Sequence, residues 1–151
     1  MKKEPIDKVI ELFKEGIELA NSEYYLDAIH KFNMLIDDYP DSDLSDDALY
    51  NIGLCYFKMK QFELAIETFY QVIFDYPNAE ISVLESEFGK TAAKCYYSIF
   101  ISLLALGQKE KAIEIALQLE DFSNDTYVVV NDEKKSYLEL SDMIIQNYEN
   151  K

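Results

Sequence analysis

Apolar residues recur with helical spacing along most of this chain, and in one segment they cover more than one face of the predicted helix. Residues 51–59 place apolar side chains at Ile52, Leu54, Cys55, Tyr56, Phe57 and Met59. A surface helix of a small globular protein needs only one apolar stripe, which faces the core. The second stripe predicts a helix that contacts several neighbours or presents an apolar face to a ligand.

The same apolar pattern occurs more than once, which indicates an internal repeat. The segment AIHKFNMLIDDYPDS at 28–42 returns as AIETFYQVIFDYPNA at 65–79. A weaker copy, AIEIALQLEDFSND, covers 112–125 and lacks the proline. Self-similarity over a period of about 20–50 residues is typical of stacked structural units.

Breaks in the pattern predict where the helices meet and end. Pro40 and Pro77 follow the second helix of the first two copies, because proline cannot continue a helix. Gly16 and Gly53 lie where the two helices of a hairpin would approach closely. Ser45 is the predicted N-cap of the helix that follows the first copy.

These positions resemble the tetratricopeptide repeat, a unit of 34 residues with the pattern W-x2-L-G-x2-Y…A-x3-F…P. The second copy carries the pattern at Leu49, Ile52, Gly53, Tyr56, Ala65, Phe69 and Pro77, with Leu49 in place of the tryptophan. The first copy matches at Leu12, Gly16, Leu19, Ala28, Phe32 and Pro40, and the third keeps Tyr96, Ile99, Leu103 and Ala112. The resemblance implies an all-α, right-handed α-solenoid of stacked helical hairpins. We expect one domain over 1–151, with repeats at about 9–42, 46–79 and 93–126.

Two further segments follow the third copy. TYVVVND at 126–132 favours β structure, and we expect any strand to be confined to 126–130 in a chain of about seven helices. The segment at 132–150 is amphipathic, with one face formed by Tyr137, Leu140, Ile144 and Tyr148. We expect a helix at about 133–149 to cap the open end of the repeat stack.

In tetratricopeptide proteins the second apolar face looks into a concave groove that binds peptides, and the resemblance implies such a groove here. The implied set, called the groove residues below, is Phe13, Ile17, Asn21, Tyr50, Leu54, Phe57, Tyr97, Ile101 and Leu104. Packing between repeats is an equally weighted alternative for any one of them, and the C-terminal helix is an alternative occupant. An apolar segment of another protein, helical or extended, is the expected ligand.

The composition is strongly acidic, with 14 Lys and Arg against 29 Asp and Glu and a net charge of −15. This charge disfavours nucleic acid and anionic membranes as partners, and it would attract a basic partner or simply serve solubility. No apolar run is long enough to span a membrane, and no signal-peptide core follows Lys2 and Lys3. We therefore expect a cytoplasmic protein whose Cys55 and Cys95 are buried and reduced.

Candidate chemical sites find little support in the sequence. The aspartate-rich segment 37–47 lacks the glycine and the glutamate that a calcium loop needs at fixed positions. His30 is the only histidine and is expected on the surface, and no catalytic cluster or metal-ligand spacing occurs. We expect neither an enzyme nor a cofactor or metal site.

The family's carboxylate clamp, which binds acidic chaperone tails, is incomplete in this chain. Asn51 and Lys94 fall at two of its five positions, and Phe13, Ile17 and Ser98 occupy the others. A protein of net charge −15 is moreover a poor receptor for an acidic tail.

The sequence thus predicts a non-enzymatic adaptor or scaffold that holds an apolar or amphipathic segment of another protein. One alternative is a secretion-type cytoplasmic chaperone, because such chaperones are often small, acidic repeat proteins that guard apolar segments. Another is a relative of the bacterial envelope-assembly proteins, whose repeats resemble DYPDS and DYPNAE but which carry export signals not expected here. Self-association through the groove is a further alternative.

Overall fold

The structure is a computed structural model that describes residues 5–81 and 86–150. Helices α1 to α4 precede a short strand, and three further helices follow it. Their bounds are α1 Pro5–Asn21, α2 Tyr25–Asp38, α3 Ser45–Lys58, α4 Phe62–Asp75, β1 Glu87–Phe88, α5 Thr91–Ala105, α6 Lys109–Ala116, a 3-10 helix Leu117–Phe122, β2 Tyr127–Val130, β3 Glu133–Ser136 and α7 Tyr137–Glu149. The described residues therefore contain the seven α-helices that the sequence predicts, and the helical-repeat fold is confirmed.

The three turns inside the predicted repeats share one hydrogen-bond pattern. Each has a residue with positive φ after its first helix: Glu23 at 67°, Lys60 at 62° and Gly107 at 76°. The next residue then donates its backbone N–H to a carbonyl five positions earlier, in the pairs Tyr24–Leu19, Gln61–Tyr56 and Gln108–Leu103. This is the Schellman pattern that closes helix ends. The three turns thus share one backbone geometry, even where glycine is missing.

The chain divides into two compact units, one running through Thr68 and the other beginning at Phe69, so the boundary lies within α4. In the first unit, α2 contacts both α1 and α3, and α1 also contacts α3. A β-carbon placed on Gly16 would lie 2.5 Å from Cε1 of Phe32 on α2. The expected close approach of α1 and α2 at Gly16 is therefore confirmed, and only glycine leaves room for the ring.

The expected N-cap at Ser45 is wrong. Ser45 is already the first residue of α3, and Leu44 precedes the helix without a side-chain cap. The buried hydroxyl of Ser45 instead donates to the carbonyl oxygen of Tyr39 at 2.6 Å, which ties the start of α3 to the start of the preceding loop. A true side-chain cap occurs at Ser136, whose hydroxyl accepts from the N–H of Glu139 at 3.1 Å.

The expectation that strand is confined to 126–130 is also wrong. The second unit holds a three-stranded antiparallel sheet in the order β1-β2-β3. Asn131 and Asp132 both have positive φ and form the two-residue turn between β2 and β3, which suits such residues. Residues 133–136, predicted as the start of the capping helix, pair with β2 because this turn reverses the chain. The last helix begins only at Tyr137.

The core of the second unit joins the last helix to α5 and the 3-10 helix. Ile81, Ala93, Leu119 and Tyr137 form a buried cluster. Partly buried residues of α5, the 3-10 helix, β2 and α7 pack around it: Tyr96, Tyr97, Phe122, Val128, Leu138 and Leu140. The sheet and α7 therefore share one apolar core with α5.

Candidate protein-interaction surface

The two apolar stripes of the first helix in each repeat differ in burial. On α3 the packing stripe is buried at Leu49, Ile52 and Gly53 and half-buried at Tyr56. On the other stripe, Leu54 and Phe57 are half-buried. The same division occurs on α1 and α5, where Leu12 and Ile99 are buried and the neighbouring groove residues are partly accessible. The half-buried set is Phe13, Ile17, Leu54, Phe57, Tyr97, Ile101 and Leu104.

Two groove residues depart from this half-buried state. Tyr50 is only 8 % exposed and counts among the buried core residues, although it lies one turn before Leu54 on α3. Asn21, the last residue of α1, is exposed. The burial of Tyr50 favours packing over ligand contact at this position.

In the first unit, two aromatic groove residues, Phe13 and Phe57, each rest on a ring from the second helix of their own pair. The ring of Phe13 lies 5.8 Å from the ring of Phe32 on α2, measured between centroids. The ring of Phe57 meets Phe62, at the start of α4, edge-on at 5.2 Å. These contacts orient both rings, which nevertheless remain half-buried.

The accessible apolar stripe of α1 begins earlier in the helix than the groove residues predicted from the sequence. Ile6 and Ile10 precede Phe13 and Ile17 at helical spacing, and they are 68 % and 40 % exposed. The signal was present in the sequence as the spacing i, i+4, i+7 and i+11 from Ile6. It was missed because the match to the repeat begins only at Leu12.

In the second unit, the chain's own C-terminal segment contacts one groove residue. The ring of Tyr97 lies 5.1 Å from the ring of Tyr137 at the start of α7 and 6.1 Å from Phe100. Burial in this cluster raises the pKa of Tyr97 above its ordinary value. Ile101 and Leu104 lie further along α5 and stay half-buried.

Three of the five carboxylate-clamp positions make hydrogen bonds or ion pairs within the chain. The side-chain amide of Asn51 donates to the carbonyl oxygen of Asp47 at 2.8 Å. The ammonium of Lys94 pairs with the carboxylate of Glu87 at 2.7 Å, and the hydroxyl of Ser98 donates to the Lys94 carbonyl. Since Lys94 already has a carboxylate beside it, an incoming acidic tail would have to compete with Glu87.

The histidine and the two cysteines differ in exposure. No group of three His, Cys, Asp or Glu side chains that could hold a metal ion occurs in the described part of the chain. His30 is exposed on α2. Cys55 and Cys95 are both buried, as expected, and neither forms a disulfide; burial raises the pKa of Cys55 to about 11. A protonated, buried thiol is a poor nucleophile.

The sequence model of the tetratricopeptide repeat matches residues 46–73, which cover most of α3 and α4. This match and the helical-repeat fold together support a tetratricopeptide-repeat protein. A search of curated proteins returned no match. Within the part that the structure describes, no helix has the length and apolar character needed to cross a membrane.

Among solved structures, this chain is similar to the Hsp90 co-chaperone Cns1 from Saccharomyces cerevisiae (delta69). The TM-score is 0.67 at 17 % sequence identity, and the match covers 99 % of this chain. It covers 41 % of the Cns1 chain, so the present sequence spans well under half of that protein. A likeness at this identity shows a shared fold.

Proposed function

We propose that this chain is a non-enzymatic interaction module that binds an apolar or amphipathic segment of another protein on its groove residues. The observation that carries the proposal is the difference in burial between the two stripes. Leu12, Ile52 and Ile99 are buried, whereas their neighbours Phe13, Leu54 and Ile101 are not. Covering these accessible apolar groups would remove them from water, which stabilises a complex by about 25 cal/mol for each Å² buried.

Rigid presentation supports the same function. Phe13 and Phe57 are each held against a ring on the following helix, so binding need not order them at a large cost in side-chain entropy. Aromatic side chains with restricted rotamers are frequent anchors at interfaces. Phe57 is the anchor we favour, whereas Tyr50 is too deeply buried to serve as one.

The expected ligand differs from the acidic tail of a chaperone. Although Cns1 is named as an Hsp90 co-chaperone, Lys94 of the present chain is paired with Glu87, and Phe13 and Ile17 occupy two clamp positions. A net charge of −15 repels an acidic peptide and favours a neutral or basic one. The proposed ligand is therefore recognised by its apolar side chains.

Selection of peptides on the purified protein tests the proposal. A displayed library of random short peptides should yield apolar or amphipathic sequences, and the tightest binder then serves as the probe. Phe57→Ala should lower the affinity for this probe by about 30-fold, the equivalent of about 2 kcal/mol, while the far-UV circular dichroism spectrum stays helical. The matched control is Phe74→Ala, since Phe74 is 85 % exposed on α4 and lies outside the groove residues.

Two results would contradict the proposal. Equal weakening by Phe57→Ala and Phe74→Ala would mean that the probe binds elsewhere or without specificity. Selection of acidic peptides that bind through Asn51 and Lys94, as judged by Lys94→Ala, would favour a clamp instead.

A further inference from the structure

A cavity of about 650 Å³ lies in the first unit, and none of the groove residues lines it. Its apolar wall comes from Ile6, Val9 and Ile10 near the start of α1. The opposite wall is the loop between α2 and α3, where Tyr39, Pro40 and Leu44 line the cavity. This volume is within the range of about 300–1,000 Å³ that is usual for ligand sites.

The loop that forms this second wall is held in place by its own hydrogen bonds. The N–H of Tyr39 donates to the Leu35 carbonyl at 2.8 Å, and the N–H of Ser42 donates to the Tyr39 carbonyl at 3.1 Å. The buried hydroxyl of Ser45 donates to the same Tyr39 carbonyl at 2.6 Å. The cavity is therefore bounded by a helix and by a loop whose backbone is fixed.

Among the described residues, acidic groups alone carry charge at the opening of the cavity. Asp38, Asp41 and Asp43 line the cavity, and no lysine, arginine or histidine does so among the described residues. All three carboxylates are exposed, and within the described part of the chain none of them takes part in an ion pair. Asp38 also ends α2, where the helix dipole disfavours negative charge. A cation at this rim would reduce the repulsion among the three carboxylates and the unfavourable interaction of Asp38 with the helix dipole.

We propose that this cavity is a second docking site, which takes a basic, amphipathic segment of a partner protein. Apolar side chains of the segment enter between α1 and the loop, and lysine or arginine side chains pair with Asp38, Asp41 and Asp43. The net charge of −15 steers such a segment toward the protein, and the rim provides the local attraction at contact. None of the groove residues lines this site, although Ile6 and Ile10 continue the stripe of Phe13 and Ile17 along α1. The site goes beyond the proposed function.

The probe for the test is a synthetic helical peptide with leucines at i, i+3, i+4 and i+7 and lysines elsewhere. Binding is measured by fluorescence anisotropy at about 0.05 M and about 0.5 M salt, which spans strong and weak screening. The wild-type chain should bind this peptide and reject two relatives, one with serines for the leucines and one with glutamates for the lysines. Equal binding of the serine peptide would overturn the proposal.

Charge variants separate the cavity from the general acidity of the protein. The triple variant Asp38→Asn, Asp41→Asn, Asp43→Asn should lose about tenfold in affinity at the lower salt and much less at the higher salt. The matched control changes three exposed aspartates of the second unit, Asp121→Asn, Asp132→Asn and Asp142→Asn, and should bind as the wild type does. Equal losses in both triple variants would show attraction to net charge alone and would overturn the proposal.

Apolar variants test the inner wall. Ile6→Gln with Ile10→Gln should weaken the peptide by about tenfold, because exposed isoleucines are replaced without opening the core. The matched control is Leu26→Gln with Leu117→Gln, two leucines that are 72 % and 62 % exposed elsewhere. Phe57→Ala should leave this peptide unaffected, and a loss as large as that of the isoleucine pair would assign the peptide to the groove and overturn the proposal.

Other occupants of the cavity give distinct results. If the peptide binds only after removal of residues 1–4, the cavity accommodates the chain's own N-terminal segment, and the proposal is wrong. If sedimentation shows a dimer that Ile6→Gln with Ile10→Gln dissociates, the occupant is a second copy, which also overturns it.

Discussion

The ring of Tyr137 lies against the ring of Tyr97, with 5.1 Å between their centroids. Tyr97 belongs to α5 in the third repeat, and Tyr137 is the first residue of the last helix. The C-terminal segment therefore covers one residue that the family resemblance assigns to a ligand groove. At this position the second apolar stripe serves the protein's own core.

The C-terminal segment should accordingly be needed for a stable second unit. Deletion of residues 133–151 removes β3 and α7, and it exposes Leu119 and Tyr97 to solvent. We expect aggregation or a marked fall in melting temperature, because a repeat stack needs a polar outer cover at its end. Tyr137→Ala is the milder test and should cost about 3–5 kcal/mol of unfolding free energy. A truncated chain with the solubility and melting temperature of the full chain would contradict this assignment.

Removal of the Tyr137 hydroxyl should stabilise the protein, whereas removal of the whole ring should destabilise it. The hydroxyl is buried and has no hydrogen-bond partner among the described residues. Burial also raises the pKa of Tyr137, since the charged phenolate is disfavoured there. An unsatisfied buried polar group costs about 1–3 kcal/mol, so Tyr137→Phe should raise the unfolding free energy by about 1 kcal/mol. Urea denaturation measures the change, and Tyr148→Phe, at an exposed site, should leave it unaltered.

A loss of stability in Tyr137→Phe would show that the hydroxyl is hydrogen-bonded or solvated in the folded protein. The paired phenylalanine variant at Tyr97 then helps to locate the partner, because the two rings are in contact. Non-additive effects in the double variant would indicate that the hydroxyls share one environment.

Gly16 should be intolerant of the smallest side chain. A β-carbon there would meet three ring atoms of Phe32 at 2.5–2.9 Å. Gly16→Ala should therefore cost about 1–3 kcal/mol, even though alanine is the better helix former by about 1 kcal/mol. Chemical denaturation of Gly16→Ala, Phe32→Leu and the double variant forms a cycle. The smaller leucine should recover part of the alanine penalty, and strictly additive costs would contradict the packing argument.

Much of the helical fold could be predicted because its determinants are local. Helical spacing, two prolines and a repeated Ala-Ile…Asp-Tyr-Pro pattern sufficed for the helix pairs, and Gly16 was recognised from its place in the pattern. Segment 133–136 was misassigned because its glutamate and lysines are good helix formers. The Asn131–Asp132 turn and pairing with β2 override that preference, and both depend on tertiary contact.

The candidate site was less predictable because burial depends on which neighbours close over each side chain. Tyr50 and Phe57 lie on one predicted face of α3, yet Tyr50 is buried and Phe57 is half-buried. Spacing along a helix gives the direction of a side chain and not the depth of the cover above it. The cavity at α1 was missed for the same reason, since it forms between Ile10 and a loop that begins almost 30 residues later.

Cys55 should make the stability of the protein fall as the pH rises above about 9. Burial raises the pKa of its thiol from 9.0 to about 11. In the unfolded protein the thiol therefore loses its proton near pH 9, while in the folded protein it keeps its proton until about pH 11. In that window the unfolded state binds fewer protons, so the unfolding free energy declines by up to about 1.4 kcal/mol for each pH unit. The stability that the protonated thiol contributes is fully present below pH 9 and is lost as the pH rises through 11.

Urea denaturation of the wild type and of Cys55→Ala at about pH 8 and about pH 10 measures this contribution. The difference between the two proteins at the lower pH gives the packing cost of alanine. Tyr97 and Tyr137, whose pKa values are raised from an ordinary value of 10.0, affect the unfolding free energy mainly above pH 10. The decline from pH 8 to pH 10 should be smaller in Cys55→Ala, and an equal decline in both proteins would show that the thiol does not set it.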